Sequence, residues 1–236
     1  MAVPILVLGD TGTGKSTSLG AIPEMGIKGL NPKETAIINV KAKPLPFKGS
    51  MSAYQNNKNY AETRDPEVIV RLLHKLAERE DIKNVVVDDA QYILSGEWVD
   101  KSTRKDYDKY TEMGKHIYDI IEAGIALRPD QNFIYMSHSD LDERKGVYKI
   151  KTIGRMLDEK IVLEGLFLVV LYTNTEYDPK RKATKYSFIT QTTEDRMGNT
   201  IRAKSPAGMF PELEIPNDLG LVVETIGRYY GRNQHE

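Results

Sequence analysis

Gly9-Asp10-Thr11-Gly12-Thr13-Gly14-Lys15-Ser16, directly after the apolar run Val3 to Leu8, decides how the rest of the sequence is read. The stretch fits the phosphate-binding pattern G-x-x-x-x-G-K-[ST] without a mismatch. Glycine at positions 9, 12 and 14 permits a tight loop whose backbone N–H groups converge on phosphate oxygens. Lys15 supplies a flexible point charge for β- and γ-phosphates, and the Ser16 hydroxyl suits Mg²⁺. Thr17 completes the stretch assigned to the nucleotide. A helix from about Gly14 to Ile22, stopped by Pro23, is expected to aim its positive end at the same phosphates. A chance glycine-rich turn explains the pattern less well, because a strand-like run precedes it and helix-compatible residues follow. Nucleotide binding is the first conclusion.

Composition sets the limits around that loop. The 236 residues suffice for one α/β domain and are short for two. The formal net charge of −1 argues neither for nor against nucleic acid, so local patches must decide. The absence of cysteine removes disulfides, thiolate metal sites and a cysteine nucleophile, and suits a reducing cytosol. The stretch MAVPILVLGD lacks a basic region and is too short in its apolar run for a signal peptide. Gly165 to Thr173, the longest apolar stretch, is of buried-strand length. A soluble intracellular protein is expected.

Val3 to Leu8 and Thr35 to Val40 read as parallel strands. The long proline-containing loop after Val40 carries Lys41, Lys43, Lys48 and Lys58, with no acid before Glu62. Asp65-Pro66-Glu67 starts a helix with stripe Val68, Ile69, Leu72, Leu73 and Leu76. Asn84 to Asp89 is a strand ending in two carboxylates. A polar, aromatic stretch from Trp98 to Tyr110 leads into a long helix with stripe Tyr110, Met113, Ile117, Ile120 and Ile121, ending near Arg128-Pro129. Asn132 to Ser137 is the fourth strand and Glu164 to Thr173 the fifth. Lys185 to Thr190 pairs back across Lys180-Arg181-Lys182 as a hairpin. Asn217-Asp218 caps a final helix with stripe Leu219, Val222, Val223, Ile226 and Tyr230. The chain shows no repeat, low-complexity tract or domain linker.

Asp88 and Asp89 stand where P-loop NTPases keep the acid that holds Mg²⁺. Asp88 is assigned to the metal, and Asp89 to orienting or deprotonating the attacking water. A strand-terminal aspartate that merely starts a turn is the plain alternative. Ser137 and His138 end the neighbouring strand, where a polar group can sense the γ-phosphate or simply cap a turn.

The order of phosphate loop, KPLPFKG loop, double-aspartate strand and SHSD strand end resembles the RecA-like ATPases of bacteriophages, including the Sak-type single-strand-annealing group. So do KTIGRMLDEKIVLEGLFLVVLYT and the closing AKSPAGMFP…IPNDLGLVVETIGRYY. The likeness spans nearly the whole chain. It implies an α/β RecA-like P-loop fold, with a mostly parallel central sheet flanked by helices and a C-terminal β-hairpin extension, as one domain over 1–236. It implies ATP and Mg²⁺ as cofactors, hydrolysis coupled to single-stranded DNA, and a homo-oligomeric ring or filament. It also implies a role in phage recombination or replication beside other phage proteins, in the host cytoplasm and away from membranes. By the same resemblance, Arg202 and Lys204 match the place of cations that reach a neighbouring subunit's γ-phosphate. Arg144, Lys145, Tyr148, Lys149 and Lys151, with Arg155 beyond them, match a DNA-binding loop in which cations meet phosphates and an aromatic stacks on bases. Basic runs are equally solvated faces. The chain departs from RecA in one respect: the strand Ala36 to Val40 ends in Lys41, not in a catalytic glutamate.

Two other functions fit the same loop. A small-molecule or nucleotide P-loop kinase would use Arg144 to Arg155 as a lid, and a nucleotide-dependent assembly or loader protein would turn over little.

Overall fold

A computed structural model describes residues 1–153, 161–180 and 182–232. Arg155 and Arg181 lie outside the described residues. The strands are β1 Val3–Gly9, β2 Thr35–Asn39, β3 Tyr60–Glu62, β4 Asn84–Asp88, β5 Asn132–Asp142, β6 Val147–Ile150, β7 Val169–Asp178, β8 Ala183–Ile189, β9 Thr193–Glu194, β10 Thr200–Ile201 and β11 Glu214–Pro216. The helices are α1 Ser50–Ala53, α2 Pro66–Ala77, α3 Gln91–Asp100, α4 Asp108–Ile125 and α5 Leu219–Tyr229. The sheet runs β11-β8-β7-β1-β5-β4-β2-β3, parallel from β7 to β3 and antiparallel where β8 and β11 close it.

This mixed α/β sheet, mostly parallel and helix-flanked, matches the fold class read from the sequence. The hairpin β7–β8 follows the expected pairing. The reason is period two: alternate side chains of each strand enter opposite layers. Leu6, Leu8, Val85, Val87, Phe133 and Tyr135 pack against Ile69 and Leu73 of α2 and Met113, Ile117, Ile120 and Ile121 of α4. Ile5, Val7, Val86, Ile134 and Met136 pack against Leu19, Leu30, Leu45 and Tyr54, and against Leu219, Val222 and Ile226 of α5. Central strands are covered on both faces, which is why they read as unbroken apolar runs.

Several elements differ from expectation. Ser16–Leu19 forms only a short 3-10 turn, not a helix from Gly14 to Ile22. The run Ser16-Thr17-Ser18 has low helix propensity, and Ser18 Oγ donates to Lys15 O at 2.5 Å. Gly20 then lies under the Phe47 ring and against Gly29, where a Cβ on Gly20 would sit 2.1 Å from Phe47. The expected helix-dipole contribution therefore has no helix behind it.

Helix α3 was not legible in the sequence, since its apolar residues follow no single stripe. Strand β7 begins at Val169, after a 3-10 turn at Leu163–Leu166, and not at Glu164. Strand β5 continues past Ser137 to Asp142 and pairs with β6. Asp65 and Asp218 cap α2 and α5 as expected, each side chain accepting two backbone N–H bonds of its helix. Among the described residues, no helix is long and apolar enough to cross a membrane.

Candidate nucleotide-binding site

Parallel pairing brings the C-terminal ends of four strands onto one edge of the sheet. Gly9 pairs with His138, and Asn39 pairs with Asp88. Sites of open α/β sheets form along this edge. A pocket of about 280 Å³ opens there, lined by Gly12, Gly14, Lys15, Ser16, Asp88 and Asp89, among others. A larger cavity of about 690 Å³ lies along the outer edge between β3 and α2, and shares no lining residue with it.

The phosphate loop is fixed by close packing. A Cβ on Gly9 would sit 1.7 Å from Thr173 Oγ, so β7 presses directly on the loop. Thr13 Oγ shares a 2.5 Å hydrogen bond with Thr173 Oγ and donates at 2.7 Å to Asp10 O. Gly12 and Gly14 take φ of +79° and +92°, which glycine adopts at least cost. Asp10 turns its carboxylate to its own loop, accepting from Thr11 N at 2.7 Å. Lys15 is buried and folds back, donating to Gly9 O at 2.9 Å and Asp10 O at 2.8 Å. Burial pushes its ammonium pKa down, against the pull of the Asp89, Asp88 and Asp10 carboxylates.

Ser16 Oγ donates at 3.0 Å to Asp88 Oδ1, which also accepts from Asp89 N at 3.0 Å. Burial, reinforced by Asp89, raises Asp88 to about 6. Among the described residues no cluster of three acidic, histidine or cysteine side chains gathers to cage a metal. One hydroxyl touching one carboxylate beside a phosphate loop is the donor set that suits Mg²⁺, which takes few protein ligands, keeps waters and shares phosphates. Ser16 and Asp88 would hold the ion, and its chemistry would be to neutralise phosphate charge. Asp89 adopts φ +59°, and its carboxylate meets Lys43 Nζ at 3.3 Å.

A KaiC-like protein of the hyperthermophilic archaeon Pyrococcus horikoshii OT3 is similar in structure. The TM-score is 0.46 at 13% sequence identity, over 79% of this chain and 77% of that one. No family model matches the chain, and no curated protein matches it.

The remaining expected residues fall elsewhere. Arg202 and Lys204 do not line the pocket. Lys204 exchanges backbone hydrogen bonds with Val170 at 2.8 and 3.0 Å, at the level of Leu6 on β1 and so below the loop. Arg144 and Lys145 are exposed in the turn joining β5 to β6. Tyr148 is half-buried, its hydroxyl donating at 3.0 Å to Asp195 and its carbonyl accepting from Tyr172 at 3.2 Å. Lys149 is on β6, and Lys151 N donates at 2.8 Å to His138 O. His138 is half-buried in the pocket wall, its pKa lowered by burial and then by Lys15.

Residues that the sequence did not single out complete the wall. Tyr92 sits edge-on to His138 and carries Lys41 and Lys43 over its ring at 4.8 and 5.1 Å. Tyr186 and the buried Asn217 approach Gly14, and among the described residues neither amide atom of Asn217 has a hydrogen-bond partner. Tyr92 stands three residues after the aspartate pair, but nothing in its type or spacing marks it as part of a site.

Proposed function

We propose that this chain is a RecA-like P-loop ATPase, one domain over 1–236, that binds and hydrolyses ATP with Mg²⁺. One observation carries the reading: Lys15, Ser16, Asp88 and Asp89 converge in one pocket at the strand ends, with Ser16 touching Asp88. Lys15 and the loop amides bind the phosphates, Ser16 and Asp88 hold Mg²⁺, and Asp89 orients the attacking water. Arg202 or Lys204 completes the site from a neighbouring subunit of a ring or filament.

Single-stranded DNA is the proposed partner. In support, one strand spans both regions: β5 places His138 in the pocket wall and leads to the exposed Arg144-Lys145 turn. A cationic tip on a strand that touches the nucleotide pocket offers a rigid route between DNA and ATP. The chain then acts in phage recombination or replication, with other phage proteins, in the host cytoplasm.

The test is phosphate release and particle size, each measured with and without single-stranded DNA. Stimulation of the first and growth of the second are expected. Insensitivity of both to DNA ends the DNA-coupled reading. ATP-dependent assembly without DNA stimulation favours the loader reading instead, which the Lys41 end of β2 and the Lys43–Asp89 contact also support.

A further inference from the structure

The loop between β2 and β3 is longer than most connections inside compact domains, and such loops are often functional. Lys41 and Lys43 of this loop reach the pocket wall, yet neither has been given a task there. The loop is nonetheless well anchored: Leu45 and Tyr54 are buried, and Phe47 packs over Gly20 with its ring edge-on to Tyr54 at 6.1 Å. Its first turn is clamped by one side chain. Asn39, buried at the end of β2, accepts from Ala42 N at 2.9 Å through Oδ1. Asn39 Nδ2 donates to Lys43 O at 2.7 Å and to Tyr60 Oη at 2.9 Å. The clamp uses the donor and acceptor sides of the amide together. It holds Ala42 at φ +55°, a left-handed conformation that costs a residue with a Cβ about 1–2 kcal/mol.

That strained turn aims Lys43 into the phosphate pocket. Lys43 lines the same pocket as the loop, over the Tyr92 ring and 3.3 Å from Asp89, with about half of its side chain exposed. Asp89 is itself held at φ +59°. One left-handed non-glycine residue therefore precedes Lys43, and the other is its partner Asp89. Strain of this kind persists where surrounding structure enforces it, and it clusters at working sites. An ion pair this exposed contributes little stability by itself. Its place in the same pocket as Lys15 suits a different task.

We infer that Lys43 is a second phosphate-binding cation, supplied by the same subunit, which exchanges the Asp89 carboxylate for the terminal phosphate of a nucleoside triphosphate. Paired with Asp89, Lys43 neutralises that carboxylate and holds it away from catalysis. A terminal phosphate, with more charge than one carboxylate, draws the ammonium across and releases Asp89 to face water. A diphosphate lacks that group and leaves the pair closed. The exchange moves no proton and breaks no covalent bond. It rests on the ATPase reading above and extends it to discrimination between triphosphate and diphosphate.

The experiment compares the full chain with Lys43→Ala and Lys43→Arg. Titration calorimetry measures affinity for Mg·ADP and for a non-hydrolysable ATP analogue that carries the terminal phosphate. Loss of Lys43 is expected to weaken the analogue about tenfold or more, the size of one charge-assisted hydrogen bond, and to change ADP less than about twofold. Lys43→Arg is expected to restore most of the preference. Equal loss for both ligands, or no loss for either, overturns the proposal. Unchanged thermal midpoints confirm that the variants fold. Wild-type protein that binds neither ligand refutes the nucleotide reading itself, and this outcome differs from a selective failure of Lys43.

Discussion

Ser16 Oγ lies 3.0 Å from Asp88 Oδ1, joining the residue after the loop lysine to the last residue of β4 across 72 positions of sequence. Both groups have oxygen ligands for a hard cation, and the buried Asp88 carboxylate accepts this bond and one from Asp89 N at the pocket wall. Asp88→Asn and Ser16→Ala should each reduce nucleotide affinity about tenfold or more in Mg²⁺, and much less in excess chelator. Fluorescent-nucleotide titrations with and without the metal provide the measurement. Equal losses in both conditions would argue against a metal role.

Asp89→Asn keeps the shape of the side chain and removes its charge. The variant should keep ATP binding and lose hydrolysis by about a hundredfold or more, the range of general-base contributions. Phosphate release under saturating ATP decides the point. Turnover at the parental rate would show that Asp89 is not the group that orients water.

Lys204 pairs with Val170 below the loop and Arg202 does not line the pocket, so the proposed contact of either with a phosphate is assigned to a neighbouring subunit. Lys15→Ala and the double variant Arg202→Ala/Lys204→Ala should each be nearly inactive alone. Mixed, they should regain part of the activity, because some interfaces combine an intact loop with intact cations. Mixing without recovery counts against sites shared between subunits.

The DNA prediction concerns the hairpin β5–β6. Lys145→Ala/Lys149→Ala/Lys151→Ala should weaken binding of a single-stranded oligonucleotide and lower the salt slope by about two, from about 0.7 per charge lost. Binding measured across a salt series gives both numbers. Tyr148 is tied to Asp195 and Tyr172, so Tyr148→Phe is expected to alter the hairpin more than base stacking. An unchanged slope in the triple variant would take this hairpin out of the DNA site.

Asp218 offers a purely structural test. Buried at the start of α5, it accepts from Lys28 N at 2.8 Å, Gly29 N at 3.0 Å, Gly220 N at 2.9 Å and Leu221 N at 3.3 Å. One carboxylate thus caps the helix and ties the segment after the phosphate loop to it. Asp218→Ala should cost about 2–4 kcal/mol, more than an isolated cap, because buried N–H groups are left without partners. The denaturant midpoint measures it, and a loss below about 1 kcal/mol would mean that water replaces the carboxylate.

The parts legible in the sequence are those with a local cause. Val3 to Leu8 is a strand because six apolar residues in a row suit burial on both faces, and Asp65-Pro66 starts a helix through its own cap. The turn at Ser16–Leu19 was not legible, because Gly20 and Gly29 pack together only in the folded chain. Helix α3 escaped for a similar reason, since its contacts with α4 outweigh a weak pattern. At the site, the phosphate loop and the aspartates announce themselves by spacing. Lys43, Tyr92, Tyr186 and Asn217 arrive by tertiary folding from separate segments, and no spacing relates them.

The strand order has a consequence for how the molecule is built. Strand β1 carries the phosphate loop, yet its two hydrogen-bonded neighbours start at Asn132 and Val169. Neither local turn nor adjacent hairpin can hold it in place before those segments exist, so loop closure over long separations must come first. The Thr173 contact with Gly9 and Thr13 then seats the loop from the later of the two neighbours. The centre of the sheet and the seat of the phosphate loop therefore depend on the same long-range pairings. A chain interrupted before β7 would carry the whole phosphate-loop sequence and still lack the wall that shapes it.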